Sequence, residues 1–127
     1  MATAIGSFGA LLDLRIKQGS TFDPQVTLNN PDGSPVNLTG STLRAQIRKN
    51  ALDTEVVATF TINIVDAPNG VFQLVLTDEQ TAAIVTGEQL GSSASKFVWD
   101  LEMEDSLGRV IPIFYGSVQV FREVTRL

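Results

Sequence analysis

The feature that most constrains this chain is a strict alternation in its last third, FVWDLEME. Phe97, Trp99, Leu101 and Met103 fall on one side, and Val98, Asp100, Glu102 and Glu104 on the other. Successive side chains of a strand point to opposite faces, so a period of two predicts a strand with one buried and one wet face. Trp99, in phase with Phe97 and Leu101, is expected in the core on a central strand. Asp105-Ser106-Leu107-Gly108 reads as a tight turn. A second long β-rich run over residues 109–124 returns from it, giving a hairpin that ends the domain.

The rest of the chain follows the same grammar. A strand is expected over 11–17, with Leu12, Leu14 and Ile16 on one face, before Gln18-Gly19-Ser20 breaks it. The next, over 22–29, carries Pro24, which donates no ladder hydrogen bond and so marks an edge or a bulge. Pro31-Asp32-Gly33-Ser34-Pro35 is a turn, and 36–38 a short edge piece. Residues 42–49 place Leu43, Ala45 and Ile47 inward and Arg44, Gln46 and Arg48 outward. Residues 56–65 read as one long strand, with Val56, Ala58, Phe60, Ile62 and Ile64 in phase. Pro68-Asn69-Gly70 turns the chain, Asn-Gly being suited to positive φ, into a strand over 71–76. Thr77-Asp78-Glu79-Gln80 fits a helix capping box, with two acids at the positive end of the helix dipole. The helix is expected to continue through Val85 and stop at Gly87, ahead of a small polar loop over 87–95. In the last run the apolar phase changes between Tyr115 and Val118, which marks Gly116 as a bulge.

About seven strands, one helical turn and no repeated crossover helices predict an all-β chain, an immunoglobulin-like antiparallel β-sandwich. At 127 residues the chain has room for one domain, expected over 10–127 behind an extended N-terminal arm over 1–9 that is rich in small residues. No basic leader with an apolar run is read at the N-terminus, and no segment approaches the roughly 20 apolar residues that span a bilayer.

Composition narrows the chemistry. The chain has no cysteine, hence no disulfide or thiolate site, and no histidine, the commonest general base and transition-metal ligand. A Ser-His-acid triad within the chain is thereby excluded, and no phosphate-binding or nucleophile-elbow motif occurs. Net charge is −5, without the basic footprint that nucleic-acid binding needs. Asp100, Glu102, Glu104 and Asp105 form the one dense acidic group. On one strand face its members stand about 7 Å apart, a spacing compatible with a glycosidase pair or a calcium site. It is also the look of a solvated strand face, which is the favoured reading. Arg44, Arg48 and Lys49 form a basic stripe able to meet the acidic strand of a neighbouring subunit. Phe121, Ile5 and Phe8 do not fit the core phase and are candidates for a sticky patch. The candidate interface residues are therefore Ile5, Phe8, Arg44, Arg48 and Phe121. No catalytic residue, metal or cofactor is expected.

Three stretches together resemble a small domain of tailed-bacteriophage structural proteins. The first is LRIKQGSTFDPQVTLNNPDGSPVNLTGSTLRAQIRKN, with "QG" and then "DG-x-P-V-N-L-T-G". The second is GVFQLVLTDEQTAAI, and the third FVWDLEMEDSLGRVIPIFYGSVQVFREVTR. The resemblance covers most of residues 11–126. It implies an immunoglobulin-like sandwich of the kind found at the N-termini of baseplate and receptor-binding scaffolds, in the manner of upper baseplate proteins. It also implies a non-enzymatic virion protein, made in the bacterial cytoplasm, that contacts other virion proteins in a symmetric homo-oligomeric assembly, with no nucleic acid, membrane or small molecule as partner. In that group the "VTR" ending leads into further modules. Here the sequence ends at Leu127, so a domain standing alone is expected. Head-decoration and neck positions remain alternatives, as does a carbohydrate-binding module that attaches to a host surface. Exposed aromatics lining a groove would favour that last alternative.

Overall fold

The computed structural model describes residues 9–84 and 94–122, with Ala94 and Ser95 as backbone only. The period-two segments form two sheets packed face to face. Strands β1 (Ala10–Leu11), β2 (Leu14–Lys17), β4 (Thr42–Arg48), β5 (Val56–Thr59), β8 (Ala94–Glu104) and β9 (Val110–Phe121) make the larger sheet. Its order is β1-β9-β8-β4-β5, with β2 also on β9. Strands β3 (Gln25–Thr27), β6 (Thr61–Asp66) and β7 (Val71–Val75) make the smaller one, in the order β3-β7-β6. This is the immunoglobulin-like division: β3, β7 and β6 stand where B, E and D stand, and β4, β8 and β9 where C, F and G stand.

The described strands number nine rather than about seven, because two expected strands are each divided. The first breaks at Leu12-Asp13, and both of its halves run parallel to β9, so the sandwich is not wholly antiparallel. The other expected strand, 56–65, breaks at Phe60. There the chain leaves the larger sheet for the smaller one, and the Phe60 N–H donates to the Ala45 carbonyl at 3.0 Å. Both sheets turn an apolar face inward, so the alternation runs unbroken across a change of sheet. Phe60 is buried at the crossing, while Val56 and Ile64, in phase with it in the sequence, are exposed. The expected edge piece at 36–38 is a loop, tied by the Val36 N–H to the Leu28 carbonyl. β3 is shorter than expected and is an edge strand, with Pro24 just ahead of it.

The core lies between the inner faces. Ile16, Ile47, Trp99, Leu101, Phe114, Val118 and Val120 of the larger sheet meet Val26, Phe72, Leu74 and the flanking Leu28 and Leu76 of the smaller. Phe22, Phe60, Trp99 and Phe114 form an aromatic chain with centroids 6.1, 5.8 and 6.3 Å apart. Burying each such ring contributes about 1.5–3 kcal/mol. Trp99 sits on the central β8 with its indole N–H donating to the Leu12 carbonyl at 2.7 Å.

The capping box forms as the sequence predicts. Thr77 Oγ1 accepts from the Gln80 N–H at 3.1 Å, and Gln80 Oε1 accepts from the Thr77 N–H at 2.9 Å. The helix, α1 (Asp78–Ala82), is shorter than expected, its C-cap being Ala83. Val85, Gly87 and most of the expected loop lie outside the described residues. The Thr81 hydroxyl, fully buried, donates to the Ser20 carbonyl at 2.8 Å, and Gln18 Nε2 donates to the Ile84 carbonyl at 2.7 Å. The helix is thus docked on the turn after β2, and tertiary contact stabilises a segment too short to persist alone.

The phase change in β9 is real, but the bulge is not at Gly116. Leu101 pairs with Phe114 and Glu102 with Pro112, which leaves Ile113 as the extra residue. Pro112 explains the position: it lacks an N–H, and strands tolerate proline at bulges. Gly116 pairs regularly with Trp99. A Cβ there would collide with the Leu12 carbonyl and stand 2.9 Å from Asp13 Oδ1, so the glycine admits the kinked first strand.

Candidate functional site

The outer face of the larger sheet is written by the residues the core leaves over. Register places Leu11, Tyr115, Asp100, Gln46 and Thr59 side by side across five strands. The next outward row holds Ser117, Val98 and Arg48. Between them lies a groove of ≈ 550 Å³, with Leu11 and Tyr115 on one wall and Arg48 and Ala51 on the other. Leu11 is 64% and Tyr115 45% exposed, which makes an exposed apolar step beside Asp100 and the groove.

The kink beside the groove is held by the side chain of Asp13. With β1 and β2 interrupted there, the Ser117 N–H donates to Asp13 Oδ1 at 2.9 Å, and the Leu12 N–H donates to the Tyr115 carbonyl at 2.9 Å. The first strand therefore stays on β9 through its own break and delivers Leu11 next to Tyr115.

Charges on this face are mostly paired within the chain. Arg44 Nε donates to Glu102 at 2.6 Å and its Nη1 to Glu104 at 3.2 Å, and the carboxylate of Glu102 foremost, then that of Glu104, raises the pKa of Arg44. Arg48 donates to the carbonyls of Asp53 and Thr54 at 3.0 and 2.8 Å and to Gln46 Oε1 at 2.9 Å, which folds the 50–55 loop over the rim of the groove. Asp100 has its pKa raised, first by partial burial and then by the Glu102 carboxylate, with Arg48 opposing. Asp105 belongs to the hairpin turn. It accepts from the Leu107 and Arg109 N–H groups and from Arg109 Nε, and these donors, the Arg109 backbone first, lower its pKa. Among the described residues, no three acidic side chains are grouped to hold a metal ion.

Of the expected interface residues, Arg44 and Arg48 lie on this face. The acidic strand that Arg44 meets is β8 of its own chain. Phe121 lies at the far end of the same face, where it is half-buried and the Arg15 guanidinium sits 5.1 Å from its ring centroid. Ile5 and Phe8 fall outside the described residues. Leu11 and Tyr115 were not legible as site residues. A signal for both existed: Leu11 is out of phase with Leu12, Leu14 and Ile16, and Tyr115 is out of phase with Val118 and Val120.

No protein-family model matches the chain. No curated protein matches it significantly.

Proposed function

We propose that this chain is a non-enzymatic structural domain of a tailed-bacteriophage virion, in a tail, baseplate or fibre-adaptor position. In this reading the sandwich is a rigid spacer, and its outer face, strand edges and N-terminal arm dock neighbouring virion proteins. The observation that carries the reading is the exposed Leu11–Tyr115 step beside the groove. It is an apolar surface on a rigid sheet, of the kind that marks contact sites. The motifs of the resemblance also have structural employment here: "QG" and "DG" supply turn glycines at φ 77° and 90°, and "W-D" supplies the buried indole and the groove carboxylate. The test is to purify particles that carry Tyr115→Thr, which puts a β-branched, uncharged side chain opposite Asp100, or wild-type protein. The wild type is expected in the particle by immunoblot and gold labelling, and Tyr115→Thr is expected in the soluble fraction with little change in melting. Absence of the wild type from particles refutes the reading.

A second reading rests on the same ring. Tyr115 flanked by Asp100, Gln46 and Arg48 is also the combination of aromatic plane and planar polar groups that recognises a sugar. Binding to host polysaccharide that disappears in Tyr115→Ala, with particle incorporation unaffected, would favour attachment over scaffolding.

A further inference from the structure

Among the described residues, four strand edges close the two sheets, and three of them are guarded. β3 has three residues and follows Pro24. The split β1/β2 edge is kinked at Leu12-Asp13 and carries Arg15 and Lys17. β5 has four residues and a register irregularity against β4, and Gln80 Nε2 donates to the Thr59 carbonyl at its end. Short strands, prolines, kinks and charges are the devices that keep edges from pairing. The fourth edge, β6, has none of them over Thr61-Ile62-Asn63-Ile64, four uncharged residues rich in β-branched side chains, and its irregularity comes only beyond them, at Val65.

The hydrogen-bond phase of β6 follows from that of β7. The Leu74 and Leu76 N–H groups donate to the Pro24 and Phe22 carbonyls, so the even residues of β7 bond toward β3 and the odd ones toward β6. Gln73 and Val75 pair with Asn63 and Thr61. Ladder bonds alternate along a strand, so the N–H and C=O groups of Ile62 and Ile64 point out of the sheet edge. Ile64 and Val65 are 41% and 55% exposed there.

We propose that β6 is a self-pairing edge that joins two copies of this chain antiparallel about a two-fold axis through Asn63. The strand is its own complement in that register. Ile62 meets Ile64 of the second copy as a hydrogen-bonded pair, twice over, and all four outward backbone groups of each copy are satisfied. Asn63 meets Asn63 as the close, non-hydrogen-bonded pair, and the regular pairing ends at Ile64, before the irregularity at Val65. No charge is brought opposite a like charge, although each chain carries −5, because Asp66 lies beyond that pairing. The smaller sheets then continue into one sheet, β3-β7-β6-β6-β7-β3. Such a closed isologous contact uses the same patch on both subunits. The inference goes beyond the virion reading and stands on strand geometry alone.

Asn63 is exposed, and substitutions there leave the β6–β7 ladder intact. Asn63→Lys and Asn63→Asp each place like charges directly across the axis. Light scattering at about 100 μM is expected to give a dimer for the wild type and 13.7 kDa monomers for each variant, with a dimer restored when the two variants are mixed. A wild-type monomer, or variants that stay dimeric, would overturn the proposal. Asn63→Cys supplies a second readout in a chain without cysteine. A non-hydrogen-bonded pair brings the two Cα atoms to about 4.5 Å, within disulfide range. Mild oxidation is expected to crosslink Asn63→Cys quantitatively and to leave Ser106→Cys uncrosslinked; equal crosslinking of the two refutes the register.

Discussion

Removing the indole of Trp99 tests the centre of this fold. The ring is 3% exposed, lies between Phe60 and Phe114, and gives its N–H to the Leu12 carbonyl. Trp99→Ala deletes most of a buried aromatic and is expected to cost about 3–5 kcal/mol. Trp99→Phe separates the terms. It keeps an aromatic ring and removes the donor, leaving the Leu12 carbonyl unpaired at about 1–3 kcal/mol, with about 1 kcal/mol more for the smaller ring. The sum, about 2–4 kcal/mol, is a large share of the roughly 5–15 kcal/mol that holds a domain together. Urea unfolding followed by far-ultraviolet circular dichroism reads it directly, since fluorescence vanishes with the tryptophan. Melting should fall by about 3–5 °C per kcal/mol for a chain of this size. Gly116→Ala drives a Cβ into the same carbonyl. The two changes break one contact, so their costs should be less than additive. A loss below about 1 kcal/mol in Trp99→Ala would refute the placement of the indole. Full additivity of Trp99→Phe with Gly116→Ala would refute the shared carbonyl.

The helix cap and the groove carboxylate give two further tests. Thr77→Ala should cost about 1 kcal/mol, read as a lowered urea midpoint at constant slope, and Thr77→Ser should restore most of it. Asp100 has a folded pKa above its ordinary value, so the native state holds more protons than the unfolded one and stability falls as pH rises through that window. Asp100→Asn should therefore raise the melting temperature at neutral pH, with Arg48, Glu102, Asp13 and Tyr115 still in place. The gain should shrink as pH drops toward the ordinary carboxylate range. A gain that instead grew on acidification would refute burial as the cause.

What the sequence made legible was whatever depends on neighbours in the chain. The alternation of 97–104, the Asp105–Gly108 turn, the Asn69-Gly70 turn and the Thr77–Gln80 box all formed as read, because periodicity and caps are local signals. What it hid depends on partners distant in sequence. The alternation through Phe60 is equally satisfied by one strand or by two in different sheets, since both present an apolar inner face, and only the Ala45 carbonyl reveals the crossing. Likewise the phase change in β9 showed that a residue was extra. The bulge forms beside Pro112, whereas the sequence favours Gly116, glycine being the commoner mark of irregular backbone. Its actual reason, the approach of Leu12 from 104 residues away, leaves no trace in the local pattern.

The same kink joins the stability of this molecule to its candidate site. If β1 and β2 were one straight strand, alternation would carry Leu12 inward and Leu11 outward with no break, and the Trp99 N–H and the Ser117 N–H would both need other acceptors. By turning at Leu12-Asp13 the chain brings a carbonyl to the indole and a carboxylate to Ser117. Leu11 is left beside Tyr115 with little over it. The exposed apolar step thus lies directly beside the kink that satisfies the Trp99 and Ser117 donors. Substitutions at Asp13 or Gly116 must then disturb folding and the proposed docking together, and cannot tell the two apart. Leu11 and Tyr115 are different. Their outer halves touch little, so surface changes there should move stability by roughly half a kcal/mol or less while altering whatever the face binds. On this face, an effect on binding without an effect on melting is therefore expected at the step itself, and those two positions are where the proposed docking can be separated from fold.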